Sequence, residues 1–380
     1  MGNECFSDII SEKQGRFAVV TMLADYLKDL ATDRRGGGFA SVLKGVLWLL
    51  SLLYGAVIVV LSGIRSRNRV VLPVKIISVG NITWGGTGKT PLVRLIARML
   101  KDDGRRTAVL TRGYGRLKRG NNTTPAPDAS GMGDEPYMLW RKLQGVPVIV
   151  NGNRRAAAVE AQRVYGADTL LLDDGFQQWG LKKDLDIAVV DAARPFGNGC
   201  MIPRGILREP LSALRRAGIF VLTNTEACAD PHALKARLAS LNPHALIVAA
   251  RHVPAGCSFL SDPSKQCTAE YLRARPVALV SAIGNPGSFR RTVDALQARV
   301  AAAFVFPDHH RYSPADMDMI SRECREQGIR VLVTTEKDAV KLAALAPGIA
   351  EFDCIVLDVT LEIFENEEQF CRRLRGVYSA

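Results

Sequence analysis

The feature that most restricts the fold of this chain is the stretch SVGNITWGGTGKTP, which begins at Ser78. A β-branched run precedes it, and apolar residues at positions 92, 96 and 100 follow it at the spacing of one helix face. Four glycines between positions 80 and 88 let the backbone turn sharply and bring its N–H groups close to a ligand. The stretch therefore predicts a strand, a glycine-rich loop and a helix, in that order.

This order of elements is typical of a phosphate-binding loop, or P-loop. A helix N-terminus attracts phosphate through its free N–H groups and its positive dipole end. Lys89 adds a charge for the β- and γ-phosphates, and the Thr90 hydroxyl is a candidate ligand for Mg²⁺. The motif G-x-x-x-x-G-K-[ST] begins with glycine, where this chain has threonine; a plain glycine turn before a helix is the alternative. The predicted nucleotide-binding residues are Thr83, Trp84, Gly85, Gly86, Thr87, Gly88, Lys89 and Thr90.

Length and composition are those of a globular protein with one large or two medium domains, since 47% of the 380 residues are apolar and 23% are charged. The eight cysteines contain no C-x-x-C pair, which argues against a zinc ribbon and a disulfide scaffold and suits a reducing cytosol. The formal charge is +12, and residues 34–101 hold eleven Lys and Arg but no Asp or Glu. This basic zone predicts an anionic membrane surface as a partner. Nucleic acid is not predicted as a partner, because no nucleic-acid motif accompanies the charge.

An apolar helix is predicted just before the P-loop. Residues 45–63 are nineteen residues without a charge, which would form a helix of about 28 Å, close to the bilayer core of about 30 Å. Basic residues flank the segment on both sides, so they indicate no orientation. We interpret it as a membrane helix that either spans the bilayer or inserts into one leaflet, with a buried core helix as the alternative. Residues 1–38 contain a candidate amphipathic helix and a glycine linker, and no role is assigned to them.

Two pairs of acidic residues follow structural breaks. Asp173 and Asp174 end an apolar strand, which is the arrangement of a Walker B carboxylate at the carboxyl end of a sheet, or else of an Asp-Asp-Gly turn. Asp134 and Glu135 follow a polar loop rich in Gly, Pro and Asn. In a phosphate site these two acids are candidates for a base and a metal partner, while a solvated turn is the alternative.

Three later segments also contain candidate functional residues. Arg204 and Arg208, in the irregular segment PRGILREP, could hold an anionic substrate group. His309 lies in FPDHHRY beside an aspartate and a second histidine, which suits catalysis, although a solvated surface pair is the alternative. The segment TTEKD at positions 334–338 is predicted to end a strand and cap a helix.

Strands and helices alternate along the second half of the chain, which predicts a parallel α/β sheet. Strands are expected at 246–250, 277–282, 330–334 and 353–357, and helices near 232–241, 286–300, 314–327 and 336–345.

The set of motifs resembles the tetraacyldisaccharide 4′-kinases of lipid A biosynthesis. The matching stretches are VGNITWGGTGKTP, TRGYGR, GDEP, LLLDDGFQQ, FGNG, PRGILREP, FPDHHRY and TTEKDAVK, in the family order. Threonine in the first-glycine position is a habit of that family, so Thr83 supports the resemblance. The chain departs from the family at Gln178, where histidine is usual, and in residues 1–38, which extend beyond the usual start.

The resemblance implies transfer of the ATP γ-phosphoryl group to the 4′-hydroxyl of a tetraacyldisaccharide 1-phosphate, a lipid disaccharide monophosphate, which yields lipid IVA. ATP and Mg²⁺ are the implied cofactors. Lys89 and the loop amides are implied to hold the phosphates. Asp134 is implied to accept the hydroxyl proton, with His309 orienting or tuning it.

The resemblance also implies the other ligands of the site and the location of the enzyme. The implied metal ligands are Thr90, Glu135, Asp173 and Asp174, and the residues implied to face the anionic lipid are Arg155 and Arg208. The implied location is the bacterial inner membrane, with the catalytic portion in the cytoplasm. The oligomeric state is not predicted. Two rival functions are a P-loop ATPase or metallochaperone that couples hydrolysis to conformational change, and a noncatalytic membrane-anchored scaffold.

The expected fold is an α/β, P-loop NTPase-type, mostly parallel sheet with helices on both faces, a second smaller α/β lobe, and an N-terminal membrane-associated helix. The expected parts are an N-terminal extension (1–38), the membrane-associated helix (39–68), a P-loop kinase core (69–225) and a C-terminal α/β portion that completes the catalytic cleft (226–380).

Overall fold

The computed structural model of the protein describes residues 26, 27, 29–113, 132–308 and 310–379. By its internal contacts the chain divides into two compact units. The first unit comprises Met1–Arg67, Ile82–Trp84 and Arg194–Ala213, and the second comprises Asn68–Asn81, Gly85–Ala193 and Leu214–Ala380. The four-part division expected from the sequence stays a prediction.

The first unit contains one long apolar helix, α1 (Gly38–Arg67), of 30 residues. Its most apolar window has a mean hydropathy of 2.3, and only 11% of that window is buried, so the helix is long and apolar enough to cross a membrane. Most of its large apolar side chains are exposed, as at Leu49 and Leu53. This exposure is unlike that of a core helix, which would bury the same side chains.

A polar network within the first unit joins the start of α1 to the irregular segment Arg194–Ala213. Asp33 forms ion pairs with Lys44 at 2.7 Å and with Arg204 at 2.8 Å. The hydrogen bond from Lys44, supported by Arg204, lowers the pKa of Asp33 to about 2. Tyr54 Oη donates to the carbonyl oxygen of Arg208 at 3.2 Å.

The second unit is built on a single sheet of twelve strands, whose order is β10-β9-β11-β12-β7-β6-β5-β1-β4-β2-β3, with β8 paired to β7. All pairings are parallel except β7 with β12 and β7 with β8. The strands are β1 (Lys75–Gly80), β2 (Thr107–Thr111), β3 (Val148–Val150), β4 (Thr169–Asp173), β5 (Leu185–Asp191), β6 (Ile219–Thr223), β7 (Leu246–Phe259), β8 (Gln266–Cys267), β9 (Pro276–Ser281), β10 (Arg299–Val305), β11 (Val331–Thr335) and β12 (Asp353–Glu365).

The antiparallel pair β7–β12 joins two parallel halves of the sheet, one on the β6 side and one on the β11 side, which we call half-sheets. The start of β7 pairs with β6, and the start of β12 pairs with β11. Because β7 and β12 run in opposite directions over 14 and 13 residues, their starts lie at opposite ends of the ribbon that they form. Each half-sheet therefore points the carboxyl ends of its strands toward the other half, and ligands bind at such ends in parallel α/β sheets.

Helices cover both faces of the sheet. On one face α2 packs Leu92 and Ile96 against Ile77 of β1, and on the other face Ala157 and Ala161 of α4 pack against β1 and its neighbours. Within its described residues, this unit contains the helices α2 (Lys89–Asp102), α3 (Asp134–Lys142), α4 (Arg154–Tyr165), α5 (Pro231–Leu241), α6 (Ala269–Leu272), α7 (Pro286–Asp294), α8 (Pro314–Glu326), α9 (Glu336–Leu342) and α10 (Glu367–Arg375). The predicted mostly parallel sheet with helices on both faces is confirmed.

Three predicted elements differ from the structure. The helix expected over 286–300 ends at Asp294, and the edge strand β10 follows from Arg299. The alanine-rich sequence of β10 favours a helix locally, but its pairing with β9 supplies the backbone hydrogen bonds, and tertiary context overrides propensity. The strands expected over 246–250 and 353–357 also continue to residues 259 and 365, because their second halves pair with each other.

Candidate active site

The P-loop connects β1 to α2, near the middle of the sheet. Gly88 immediately precedes α2 with a φ of 83°, a left-handed value that favours glycine. A Cβ atom at Gly88 would also lie 3.2 Å from Nε2 of His252, in the β7–β12 ribbon. The loop also meets the opposite half-sheet, since a Cβ atom at Gly284 would lie 2.9 Å from the backbone nitrogen of Gly86. Glycine at these positions allows close backbone packing.

Side-chain hydrogen bonds hold the loop in shape. Asn81 Nδ2 donates to Thr87 Oγ1 at 3.0 Å, and Lys89 Nζ donates to Asn81 Oδ1 at 3.2 Å. Thr223, at the end of β6, donates from Oγ1 to the Thr87 carbonyl at 3.1 Å. Lys89 Nζ also lies 3.6 Å from Asp174 Oδ1, so its ammonium group sits beside the acidic turn that follows β4.

The first part of the predicted nucleotide-binding stretch belongs to the other unit. Thr83 forms a bridge with Leu207, and the Trp84 backbone N–H donates to the carbonyl of Ile206 at 2.7 Å. Arg208, a predicted substrate residue, donates its backbone N–H to the carbonyl of Ile82 at 2.7 Å. Within the first unit, the structure therefore brings residues 83 and 84 together with the segment that carries Arg208.

Asp173 lies at the carboxyl end of β4 and is buried. Thr111 Oγ1 donates to its Oδ2 at 3.0 Å. Burial, and then the nearby carboxylates of Glu135 and Asp174, raise the pKa of Asp173 to about 6. Three of the predicted metal ligands therefore repel one another electrostatically at this site.

The turn after Asp173 requires an unusual backbone. Asp174 has a φ of 50°, in the left-handed region. A Cβ atom at Gly175 would lie 2.5 Å from the Leu172 side chain and 2.8 Å from Ser78 Oγ, so only glycine fits there. The Asp-Asp-Gly sequence does form a turn, as its alternative interpretation had it, and the same turn places Asp174 beside Lys89.

The donor set at this place fits Mg²⁺. No group of three or more His, Cys, Asp or Glu side chains within the described parts of the chain is arranged to hold a metal ion. Mg²⁺ normally uses one or two carboxylates together with waters and substrate phosphates, so it does not need such a cage. A divalent cation would also offset the repulsion that raises the pKa of Asp173. Thr90 lies in the first turn of α2, next to Lys89.

A lysine that the sequence interpretation assigned to a helix cap contacts two of the other motifs. Lys337 Nζ lies 3.1 Å from Glu135 Oε1 and 3.0 Å from Asp308 Oδ1, and its side chain is only 14% exposed. Burial disfavours the charged form, but the two carboxylates outweigh it and raise the pKa of Lys337. The predicted capping is confirmed at the adjacent Thr335, whose side chain accepts from the Asp338 backbone N–H. The sequence offered one sign that Lys337 belongs to the site: it follows shortly after the carboxyl end of a strand, where ligands bind in parallel α/β sheets.

The predicted pairing of Asp134 with His309 stays a prediction. Asp134 is the first residue of α3, but its side chain, like the whole of His309, lies outside the described residues. The residues next to them in sequence, Glu135 and Asp308, share Lys337. The two segments that carry the predicted pair are therefore close together in the second unit.

Arg155 lies in the first turn of α4 and is exposed. Its guanidinium donates to the Gly180 carbonyl at 3.5 Å, just beyond the DDGFQQ motif. Gln178, which replaces the usual histidine, donates its backbone N–H to the Gly175 carbonyl at 2.9 Å. The role of Arg155 toward the lipid stays a prediction.

A glycine loop between a central parallel strand and a helix, with a buried carboxylate at the end of the next strand, defines a P-loop nucleotide-binding protein. A family model described as tetraacyldisaccharide-1-P 4′-kinase matches residues 43–378. The chain therefore belongs to the tetraacyldisaccharide 4′-kinase family, and the resemblance drawn from its motifs is confirmed. The kinase class predicted for it is confirmed by the same match.

Individual relatives agree with the family model. A tetraacyldisaccharide 4′-kinase of Anaeromyxobacter dehalogenans (strain 2CP-C) is 43% identical over 303 residues, covering 77% of this chain and 79% of the relative. One from Syntrophobacter fumaroxidans is 36% identical over 374 residues, covering 95% and 94%. The fold is similar to that of Aquifex aeolicus LpxK, whose crystal structure is a complex with ATP, with a TM-score of 0.69 and 26% identity over 88% of this chain and 99% of that one.

Proposed function

We propose that this protein transfers the γ-phosphoryl group of ATP to the 4′-hydroxyl of a tetraacyldisaccharide 1-phosphate. The family match over residues 43–378 carries this proposal. The hydrogen-bonded P-loop and the acidic turn beside Lys89 support it, because phosphoryl transfer depends on positioning and charge neutralisation rather than on covalent chemistry.

The P-loop residues of the second unit would bind the nucleotide phosphates. The N–H groups at the start of α2 offer donors to an anion, and Lys89 adds the charge for the β- and γ-phosphates. Mg²⁺, when bound, would neutralise phosphate charge, and the side chains that would hold it are Thr90, Glu135, Asp173 and Asp174.

Asp134 is the proposed general base, and His309 is the proposed residue that orients or tunes it. Lys337 is a positioning residue in this proposal. It neutralises Glu135 and Asp308, which would otherwise repel each other, and so keeps the segments of Asp134 and His309 at one place. A base can accept the proton of the substrate hydroxyl only from within hydrogen-bonding distance. The position of the segment that carries Asp134 therefore decides whether Asp134 can act as the base.

The lipid acceptor is proposed to reach the enzyme at a membrane surface. The exposed apolar side chains of α1 suit insertion into a bilayer, and the chain carries an excess of basic residues. Arg155 and Arg208 are the residues proposed to face the anionic lipid. We place the enzyme at the bacterial inner membrane with its catalytic portion in the cytoplasm, where ATP is available.

The proposed activity is tested by incubating the detergent-solubilised protein with ATP, Mg²⁺ and the lipid disaccharide acceptor. Lys89→Ala should lower kcat by about 10²-fold or more, because it removes an electrostatic stabiliser of the transferred group. Lys101→Ala, at the far end of α2 and hydrogen-bonded to the Gln144 carbonyl, is the matched control and should stay near normal. ATP hydrolysis that is independent of the acceptor would instead favour the rival ATPase.

The proposed base is tested by substitutions at both partners. Asp134→Asn should abolish transfer while the affinity for ATP·Mg²⁺ changes little, since the P-loop and the metal ligands remain. His309→Ala should lower kcat, and the double variant should be little worse than the worse single one, because residues that act as a unit are not additive. Rescue of Asp134→Asn by raised Mg²⁺ would make Asp134 a metal ligand. Strict additivity would mean that His309 acts alone.

A further inference from the structure

A large cavity lies in the second unit at the amino ends of several strands of the sheet. Its volume is about 890 Å³. Its walls include Leu185 and Leu246, the first residues of β5 and β7, and Gly218, which directly precedes β6. The cavity, which we call the amino-edge cavity, is therefore at the amino ends of these strands, whereas the P-loop follows the carboxyl end of β1.

The amino-edge cavity carries an excess of positive charge. Two acidic residues line it, and both are already engaged: Asp186 pairs with Lys183 at 2.6 Å, and Asp184 accepts from the Ile76 backbone N–H at 2.8 Å. Apolar side chains form part of its walls, including Trp179. The cationic residues that line it are Arg69, Lys183, Arg216, Arg372 and Arg373. A cavity with a cationic lining and an apolar wall suits a ligand with a phosphate group and an apolar portion.

Two of the cavity cations also support the turn of the DDGFQQ motif. Lys183 Nζ donates to the carbonyls of Gly175 and Phe176 at 3.3 Å each. Arg216 donates to the Phe176 carbonyl at 3.3 Å, and its Cζ lies 4.5 Å from the centre of the Phe176 ring. The turn held in this way begins at Asp174, which pairs with Lys89 of the P-loop. A second anion near Lys183 and Arg216 would compete with the carbonyls for the same donors.

We propose that the amino-edge cavity binds a phosphate-bearing ligand, and that occupancy of the cavity is coupled to nucleotide binding through Lys183, Arg216 and the Asp174–Phe176 turn. The coupling is reciprocal, so a ligand that weakens ATP binding is itself weakened by ATP to the same extent. The phosphate has two plausible sources, a phospholipid headgroup or a soluble phosphorylated compound. Arg69 follows the last residue of the apolar helix by two positions in the sequence, so a lipid headgroup is one of the two sources to be tested.

Binding is tested by isothermal titration calorimetry on the full-length protein in nonionic detergent. The P-loop is first filled with a non-hydrolysable ATP analogue and Mg²⁺, so that the probe does not bind there. The probes are inorganic pyrophosphate, dioctanoyl phosphatidic acid and, as a zwitterionic control, dioctanoyl phosphatidylcholine. Arg372→Ala/Arg373→Ala removes two exposed cavity arginines, and Arg322→Ala/Arg325→Ala removes the same charge from α8 as the matched control.

At least one anionic probe should bind at one site per chain, with an affinity at least tenfold weaker in Arg372→Ala/Arg373→Ala and unchanged within twofold in the α8 control. Pyrophosphate binding alone would indicate a soluble ligand, and preference for phosphatidic acid would indicate a lipid. If the first double variant does not fold, Arg69→Ala provides the same test at an exposed position. No binding of either anionic probe, or an equal loss in both double variants, would overturn the site.

The coupling is tested in a second titration, in which the ATP analogue is added with and without a saturating anionic probe. The affinity for the analogue should change by about fivefold or more in the wild type and by less than twofold in Arg372→Ala/Arg373→Ala, because an equal change in both would mean that the probe competes in the P-loop. An unchanged affinity would overturn the coupling. Both titrations measure binding without turnover. A negative result would therefore not bear on the proposed kinase activity, and the titrations can be done even if the protein proves to have no kinase activity.

Discussion

At the scale of single residues, Lys337 connects motifs that lie far apart in the sequence. It contacts Glu135 and Asp308, which lie 202 and 29 positions away from it in the sequence. A largely buried lysine between two carboxylates is stable only as a set, since removing the cation leaves two like charges side by side. The two ion pairs of Lys337 therefore hold the two motifs in position and also balance their negative charge.

Lys337→Met should lower kcat by about 10²-fold with little change in the KM for ATP, because displacement of the proposed base by about 1 Å has an effect of that size. Lys337→Arg should recover part of the loss, since it restores the charge between the two carboxylates. Steady-state kinetics with the melting temperature measured in parallel checks this. Lys235→Met breaks a surface pair with Glu365 and is the control. Normal kcat in Lys337→Met would show that the ion pairs do not position the base.

At the scale of elements, α2 is tied to the opposite half-sheet by a buried charge cluster. Arg94, only 4% exposed, lies 3.2 Å from Glu336 of α9 and 2.8 Å from Asp358 of β12. Lys142 of α3 contacts the same two carboxylates. Burial, and then the neighbouring Asp358, raise the pKa of Glu336. The helix that begins with the P-loop lysine is therefore anchored to strands from the far end of the chain.

Arg94→Met should lower the free energy of unfolding by about 3 kcal/mol, the low end for breaking a buried ion pair, because it leaves two partly buried carboxylates with one cation fewer. Urea denaturation followed by circular dichroism in one detergent measures the change. Arg98→Met, on an exposed position of the same helix, is the matched control and should change stability by less than about 0.5 kcal/mol. Equal effects of the two substitutions would mean that the cluster contributes no more than a surface charge.

At the scale of the whole molecule, the proposed membrane association depends on the apolar helix α1. Most of its large apolar side chains are exposed, and its 30 residues exceed the length needed to cross a bilayer core. The helix ends with Arg65 and Arg67 in its last turn, where cations complement the helix dipole.

Deletion of residues 1–64 should move much of the protein from the membrane fraction to the soluble fraction. The release should be incomplete if the basic residues and the proposed substrate site also bind lipid. Ultracentrifugation of cell lysates followed by immunoblotting measures the partition, with a carbonate wash to separate inserted from peripheral protein. If the intact protein remained freely soluble in detergent-free buffer, the membrane interpretation of residues 45–63 would be wrong.

The sequence by itself determined the P-loop, the strand that ends in Asp173, and the α/β alternation. Each depends on neighbours within about ten positions, such as hydrophobic periodicity, a glycine that tolerates a left-handed φ, and a carboxylate at a strand end. The shared motifs also indicated the family. These features are local, so they can be read before the chain is folded.

Only the tertiary structure decided how the two halves of the sheet meet. The antiparallel pairing of β7 with β12 turns the carboxyl ends of the two half-sheets toward each other. No local sequence pattern specifies this pairing. The same register sets Lys337 between Glu135 and Asp308 and brings Gly284 against Gly86. The helix predicted over 286–300 was too long for the same reason, since the alanine-rich sequence of the edge strand β10 favours a helix and its pairing with β9 favours a strand. Contacts between residues far apart in sequence depend on which strands pair and in what register, and the free energy of that choice comes from packing over the whole sheet.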